Sequence, residues 1–147
     1  MNSEAVAKHI AQWMTDYLKS SGTKGFVVGI SGGVDSAVSS ALAAITGAPT
    51  LCVTLPIHQA TAHIERAEEH INMLKKRYVN ISSAQADLTD AYDTFAASFP
   101  AAQLKGVTPG TVAMAGANAR ARLRMTALYY LAGLHNLLVV GTGNKIE

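Results

Sequence analysis

Six consecutive residues, Ser31-Gly32-Gly33-Val34-Asp35-Ser36, hold the groups that a phosphate site needs. The paired glycines let the chain turn tightly and bring its amides close to a ligand with no Cβ in the way. Ahead of a helix, such a segment meets unpaired N–H groups and the positive end of the helix dipole, which suit phosphate or pyrophosphate. Ser31 and Ser36 add hydroxyl donors. Asp35 alone would repel phosphate, so a carboxylate here implies a bridging Mg²⁺. The segment lacks the lysine of a Walker A loop and the Gly-x-Gly-x-x-Gly spacing of a dinucleotide fingerprint. The plainer alternative is a tight turn with Ser36 capping the next helix. Strand context and the Ser-x-x-x-Asp-Ser pattern favour the phosphate loop.

The loop needs a strand before it and a helix after it. Residues 25–30 form a short apolar run, the pattern of a strand covered on both faces. Residues 37–45 predict a small-residue helix, closed by Gly47, and residues 49–55 a second buried strand. Upstream, residues 5–18 carry apolar side chains at helical spacing, with Ser3 as the N-cap. Downstream, residues 60–77 place Ile64, Ala67, Ile71 and Leu74 on one stripe. A weaker strand is expected at 78–82, helices at 91–99 and 111–134, and a last strand at 137–140. Strands and helices alternating at this spacing predict an α/β fold with a parallel sheet and helices on both faces.

Two further clusters stand where chemistry is expected. On the long helix, Met114, Ala117, Ala121, Met125, Leu128 and Ala132 fall on one apolar stripe, with Asn118, Arg122 and Tyr129 along one edge. Arg120 and Arg124 lie towards the other side, Arg120 read as a solvated charge and Arg124 as half of an ion pair. Thr142 and Glu147 follow the last strand, on the side where open α/β sheets bind ligands. The segment after the second strand offers His58 and Gln59, which are either neighbours of a bound nucleotide or part of an ordinary solvated loop.

Composition narrows the classes. The 147 residues are 49% apolar and 15% charged, with a formal charge of +2, which excludes a disordered chain and gives thin support for nucleic-acid binding. Cys52, a single cysteine, excludes an internal disulfide framework and reads as a small buried hydrophobe. No apolar stretch reaches membrane-spanning length and the first residues lack a secretory pattern, so the expected location is the cytoplasm.

The segment 31–36 after a buried strand resembles the PP-loop of the N-type ATP pyrophosphatases. Residues 118–125, Asn-Ala-Arg-Ala-Arg-Leu-Arg-Met, and 141–147, Gly-Thr-Gly-Asn-Lys-Ile-Glu, are similar to two segments of NAD synthetase within that superfamily. The resemblance covers essentially the whole of residues 1–147, read as one domain, and implies a Rossmann-like three-layer sandwich of the adenine nucleotide alpha hydrolase type. It implies an ATP site formed by Gly29, Ile30, Ser31, Gly32, Gly33, Val34, Asp35, Ser36 and Thr142, with Asn118 and Arg122 on deamido-NAD. It further implies Mg²⁺ held by Asp35 and Glu147, ammonia as the nitrogen donor, and a homodimer. The family pattern continues past the glutamate that matches Glu147, so the chain is expected to be truncated relative to it. Two rivals stand beside this reading: another PP-loop adenylating enzyme, and a catalytically incomplete nucleotide-binding or dimerisation fragment.

Overall fold

The structure, a computed structural model, describes residues 2–99 and 104–143. The chain runs α1 (Ser3–Ser21), β1 (Gly25–Gly29), α2 (Val34–Ile45), β2 (Thr50–Thr54), α3 (Thr61–Arg77), β3 (Ile81–Gln85), α4 (Thr89–Ala97), α5 (Pro109–His135) and β4 (Leu137–Val139). The strands form one parallel sheet in the order β3-β2-β1-β4. Parallel strands all end at the same edge, so the segments after β1, β2 and β4 meet there. This edge carries the candidate site.

Alternation along β1 and β2 divides the core into two layers. Phe26, Val28 and Cys52 face α1, α2 and α3, packing against Met14, Leu18, Ala43, Ala44, Ala67, Ile71 and Leu74. Val27, Val53 and Leu55 face the other way, onto Ala127, Leu128, Leu131 and Ala132 of α5. Helices thus cover both faces, as the apolar runs of β1 and β2 require. The fold is Rossmann-like α/β.

Several boundaries differ from the sequence reading. Asn2, not Ser3, caps α1: its Oδ1 accepts from the Ala5 amide at 3.2 Å. Helix α2 begins at Val34, so Asp35 and Ser36 belong to its first turn. The third strand lies at Ile81–Gln85 because the Tyr78 amide still donates to Leu74 and closes α3, while the Asn80 side chain bonds Ala44 and Ala48 carbonyls. On α5 the inward residues are Leu123, Ala127, Leu128, Leu131 and Ala132, whereas Met114 and Met125 are exposed. The helix is alanine-rich and about 40 Å long, so only its last turns cover the sheet and its phase is set there.

Candidate nucleotide site

Strand β1 ends at Gly29, and here α5 approaches closely. A Cβ at Gly29 would stand 3.2 Å from Leu128 Cδ1. The chain then turns at Gly32, with φ +81°, where a Cβ would come within 2.6 Å of the His63 carbonyl on α3. Only glycine tolerates both the positive φ and that contact. Ser36, buried at 3% exposure, ties the loop into a ring: its Oγ donates to the Gly33 carbonyl at 2.9 Å and accepts from the Ser31 amide at 3.2 Å. The Ser31 Oγ accepts from the Gly33 amide at 3.2 Å. Ser36 is therefore a brace of the loop rather than a helix cap.

No side chain caps α2, and Gly33 holds the N-cap position in extended backbone. The amides of Val34, Asp35 and Ser36 have no acceptor among the described residues. A helix start left open beside a fixed glycine turn has the donors and dipole that suit an anion. The Asp35 carboxylate is exposed in the same turn. Mg²⁺ is commonly held by one or two carboxylates together with substrate phosphates and water, so Asp35 suits it.

A cleft of about 430 Å³ opens between the end of β1, as far as Ser31, and α5, while Gly32, Gly33, Val34 and Ser36 line a separate hollow against α3. The cleft is lined by Gly29, Ile30 and Ser31, by Gln59 and Arg124, and by Gly141 and Thr142. Gln59 Nε2 donates to the Ser31 carbonyl at 3.3 Å, so the segment after β2 is joined to the loop through Gln59. His58 points elsewhere. It holds φ +47°, and its Nε2 lies 2.7 Å from Asp93 on α4.

Arg124 donates from Nε to the Leu55 main-chain carbonyl at 2.8 Å, in place of the expected ion pair. Burial, and then the nearby Arg120 charge, lower its pKa from the usual arginine value. Arg120 is not solvated either: its guanidinium lies 5.3 Å from the centre of the Tyr92 ring and donates to that phenol. Asn118 and Arg122 are exposed and bond to each other, Arg122 Nη1 reaching Asn118 Oδ1 at 3.4 Å, outside the cleft lining. Glu147 lies outside the described residues.

Gln59, left open as a candidate by the sequence, and Arg124, expected in an ion pair, both line the cleft. Each is joined to its partner over a long separation, 28 positions for Gln59 and 69 for Arg124. Among the described residues no group of three His, Cys, Asp or Glu side chains gathers to hold a metal, and no helix is long and apolar enough to cross a membrane.

A parallel α/β sheet with helices on both faces and an uncapped helix after a Ser-Gly-Gly turn places the chain in the Rossmann-like α/β class. The NAD synthase family model matches residues 6–147, and the chain belongs to that family. A curated relative, the NH₃-dependent NAD⁺ synthetase of Syntrophomonas wolfei, is 36% identical over all of this chain and 57% of its own length. The Pyrobaculum aerophilum protein of the same name is 33% identical over all of this chain and 52% of its own length. Among solved structures, the NMN synthetase of Francisella tularensis superposes with TM-score 0.82 at 34% identity, covering 98% of this chain and 56% of that one. The Campylobacter jejuni NH₃-dependent NAD synthetase, in complex with nitrate, gives TM-score 0.82 at 25% identity, covering 99% and 58%. The chain spans about half the length of the relatives it matches.

Proposed function

We propose that this chain binds ATP in the cleft between the loop and α5 and takes part in the ammonia-dependent amidation of deamido-NAD to NAD. The observation that carries the reading is the open start of α2, with three amides unpaired beside Gly33. These amides and Ser31 would hold the leaving pyrophosphate. Gly29, Ile30 and Thr142 would line the rest of the nucleotide site. Asp35, with Glu147, would hold Mg²⁺, which when bound neutralises polyphosphate charge.

In the first step a carboxylate oxygen of deamido-NAD bonds to the α-phosphorus while the bond to pyrophosphate breaks, giving an acyl adenylate. Ammonia then bonds to the acyl carbon, the bond to AMP breaks, and a proton is released to water. No side-chain nucleophile is needed; positioning and charge stabilisation carry the chemistry. Asn118 and Arg122 would contact deamido-NAD. A homodimer is supported by the exposed Met114, Met125, Tyr129 and Tyr130 along α5. Cytoplasmic location is part of the same reading.

The Francisella relative, described as an NMN synthetase, supports a second reading in which a mononucleotide is amidated. The test incubates the chain with ATP, Mg²⁺ and ammonium plus either deamido-NAD or deamido-NMN, and follows AMP and the amide product. Product from the dinucleotide, lost in Asp35→Ala, supports the first reading. Product from the mononucleotide alone selects the second. ATP binding without product from either contradicts both amidation readings for this chain and leaves a nucleotide-binding unit.

A further inference from the structure

We infer that Arg124 is a phosphate-binding residue of the cleft, reaching from α5 to the phosphate that faces the loop. The inference rests on the ATP site just proposed and adds a residue to it. Of the three arginines in the middle of α5, two are engaged elsewhere: Arg120 with Tyr92, and Arg122 with Asn118. Arg124 alone lines the cleft, with Ser31, Gln59 and Thr142 around it.

Its geometry is that of a clamp held from behind. The Nε–H bond to the Leu55 carbonyl at 2.8 Å fixes the plane of the guanidinium. Both Nη groups then have no acceptor among the described residues. They are also not sealed away, because no described side-chain nitrogen or oxygen is buried without a partner. Four N–H donors in a fixed fork therefore reach accessible space, on a side chain that lines the cleft. That fork matches the spacing of two phosphate oxygens.

The charge balance points the same way. The ion pairs among the described residues are Lys8–Glu4 and His58–Asp93, so no carboxylate among the described residues neutralises Arg124. A second guanidinium, Arg120, sits one helical turn before it, where like charges repel. Half-burial and that neighbour both disfavour the positive charge, yet arginine keeps it. An anion in the cleft offsets both costs. The loop amides hold one part of a polyphosphate from the β1 side, and Arg124 meets it from the α5 side. Charge growing on phosphate oxygens as pyrophosphate leaves would then be met from two directions.

The test measures Mg·ATP, pyrophosphate and adenosine binding by calorimetry for the wild-type chain, Arg124→Met and Arg124→Lys, with unliganded melting recorded for each. Arg124→Met should weaken ATP and pyrophosphate by about 10- to 100-fold, the worth of lost charge-assisted bonds. Adenosine affinity should not change, while loss of the bond to the Leu55 carbonyl, partly offset by removal of an uncompensated cation, should lower the unliganded melting temperature only slightly. Arg124→Lys should fall between, because one ammonium cannot serve both Leu55 and the ligand. If wild type binds ATP and both variants bind it within about twofold of wild type, the inference is overturned and the loop site stands. A variant that melts early yet binds ATP normally when folded would show a merely structural arginine and overturns it too. If wild type itself binds neither ATP nor pyrophosphate, the site and the inference fall together.

Discussion

Gly32→Ala separates the two demands that the loop makes on its backbone. At Gly32 a methyl group meets φ +81° and stands 2.6 Å from the His63 carbonyl oxygen and 3.5 Å from Arg66 Cβ. Ordinary van der Waals contact begins at 3.4 Å. The loop and α3 must therefore part by roughly 0.8 Å in a closely packed region. Gly47 supplies the control, with φ +74° and nothing within 4 Å of its Cβ position. Gly47→Ala carries only the left-handed strain, about 1 kcal/mol. Gly32→Ala carries that strain plus the displacement of α3, together about 2–4 kcal/mol. Urea unfolding of both variants measures the difference at constant slope. Gly32→Ala should also lose ATP affinity, because the amides of Val34 to Ser36 follow the loop, while Gly47→Ala should keep it. Equal unfolding midpoints for the two variants would refute the close approach of α3 to the loop.

Other perturbations test neighbouring parts. Ser36→Ala removes the brace between Ser31 and Gly33 and leaves the Ser31 amide without its acceptor, so it should lower stability by about 1–3 kcal/mol in urea unfolding. Leu74→Ala, at 1% exposure between α3 and the sheet, should cost about 2–5 kcal/mol with no specific change in ATP affinity, checked by unfolding and calorimetry. Cys52, fully buried and with its thiol pushed up to about 11 by burial, should resist iodoacetamide at pH 8 until the chain is unfolded, as read by mass spectrometry. Burial lowers the His70 pKa below its ordinary 6.5, so the folded state disfavours the charged ring. Stability is then complete above pH 6.5 and declines as pH falls from there through the folded value. His70→Gln should flatten that part of an unfolding-against-pH curve.

The loop and its two flanking elements were legible because they are local. A covered strand, a glycine pair and a helix follow one another over residues 25–45, and each is written in adjacent side chains. The order of elements was readable for the same reason. What stayed hidden depends on distant partners. Ser-Ser-Ala-Gln within β3 has little strand preference of its own and is fixed by pairing with β2. Val79, which looked like a strand residue, is wholly exposed. On α5 the many alanines give every face some apolar character, so the expected stripe divides: Leu128 and Ala132 pack on the sheet, whereas Met114 and Met125 are exposed. Arg124 finds its acceptor in the main chain of Leu55, which no side-chain pattern could mark. Gln59 reaches Ser31 only after β1 and β2 have paired.

The most direct test of the central claim is amide hydrogen exchange of the chain with and without Mg·ATP. The ATP site proposed here predicts slowed exchange at the amides of Val34, Asp35 and Ser36, which have no acceptor among the described residues in the free protein. Protection should extend to the cleft lining at Gln59 and Thr142. ATP binding that leaves these loop amides unprotected, or protects a different edge of the sheet, would contradict it.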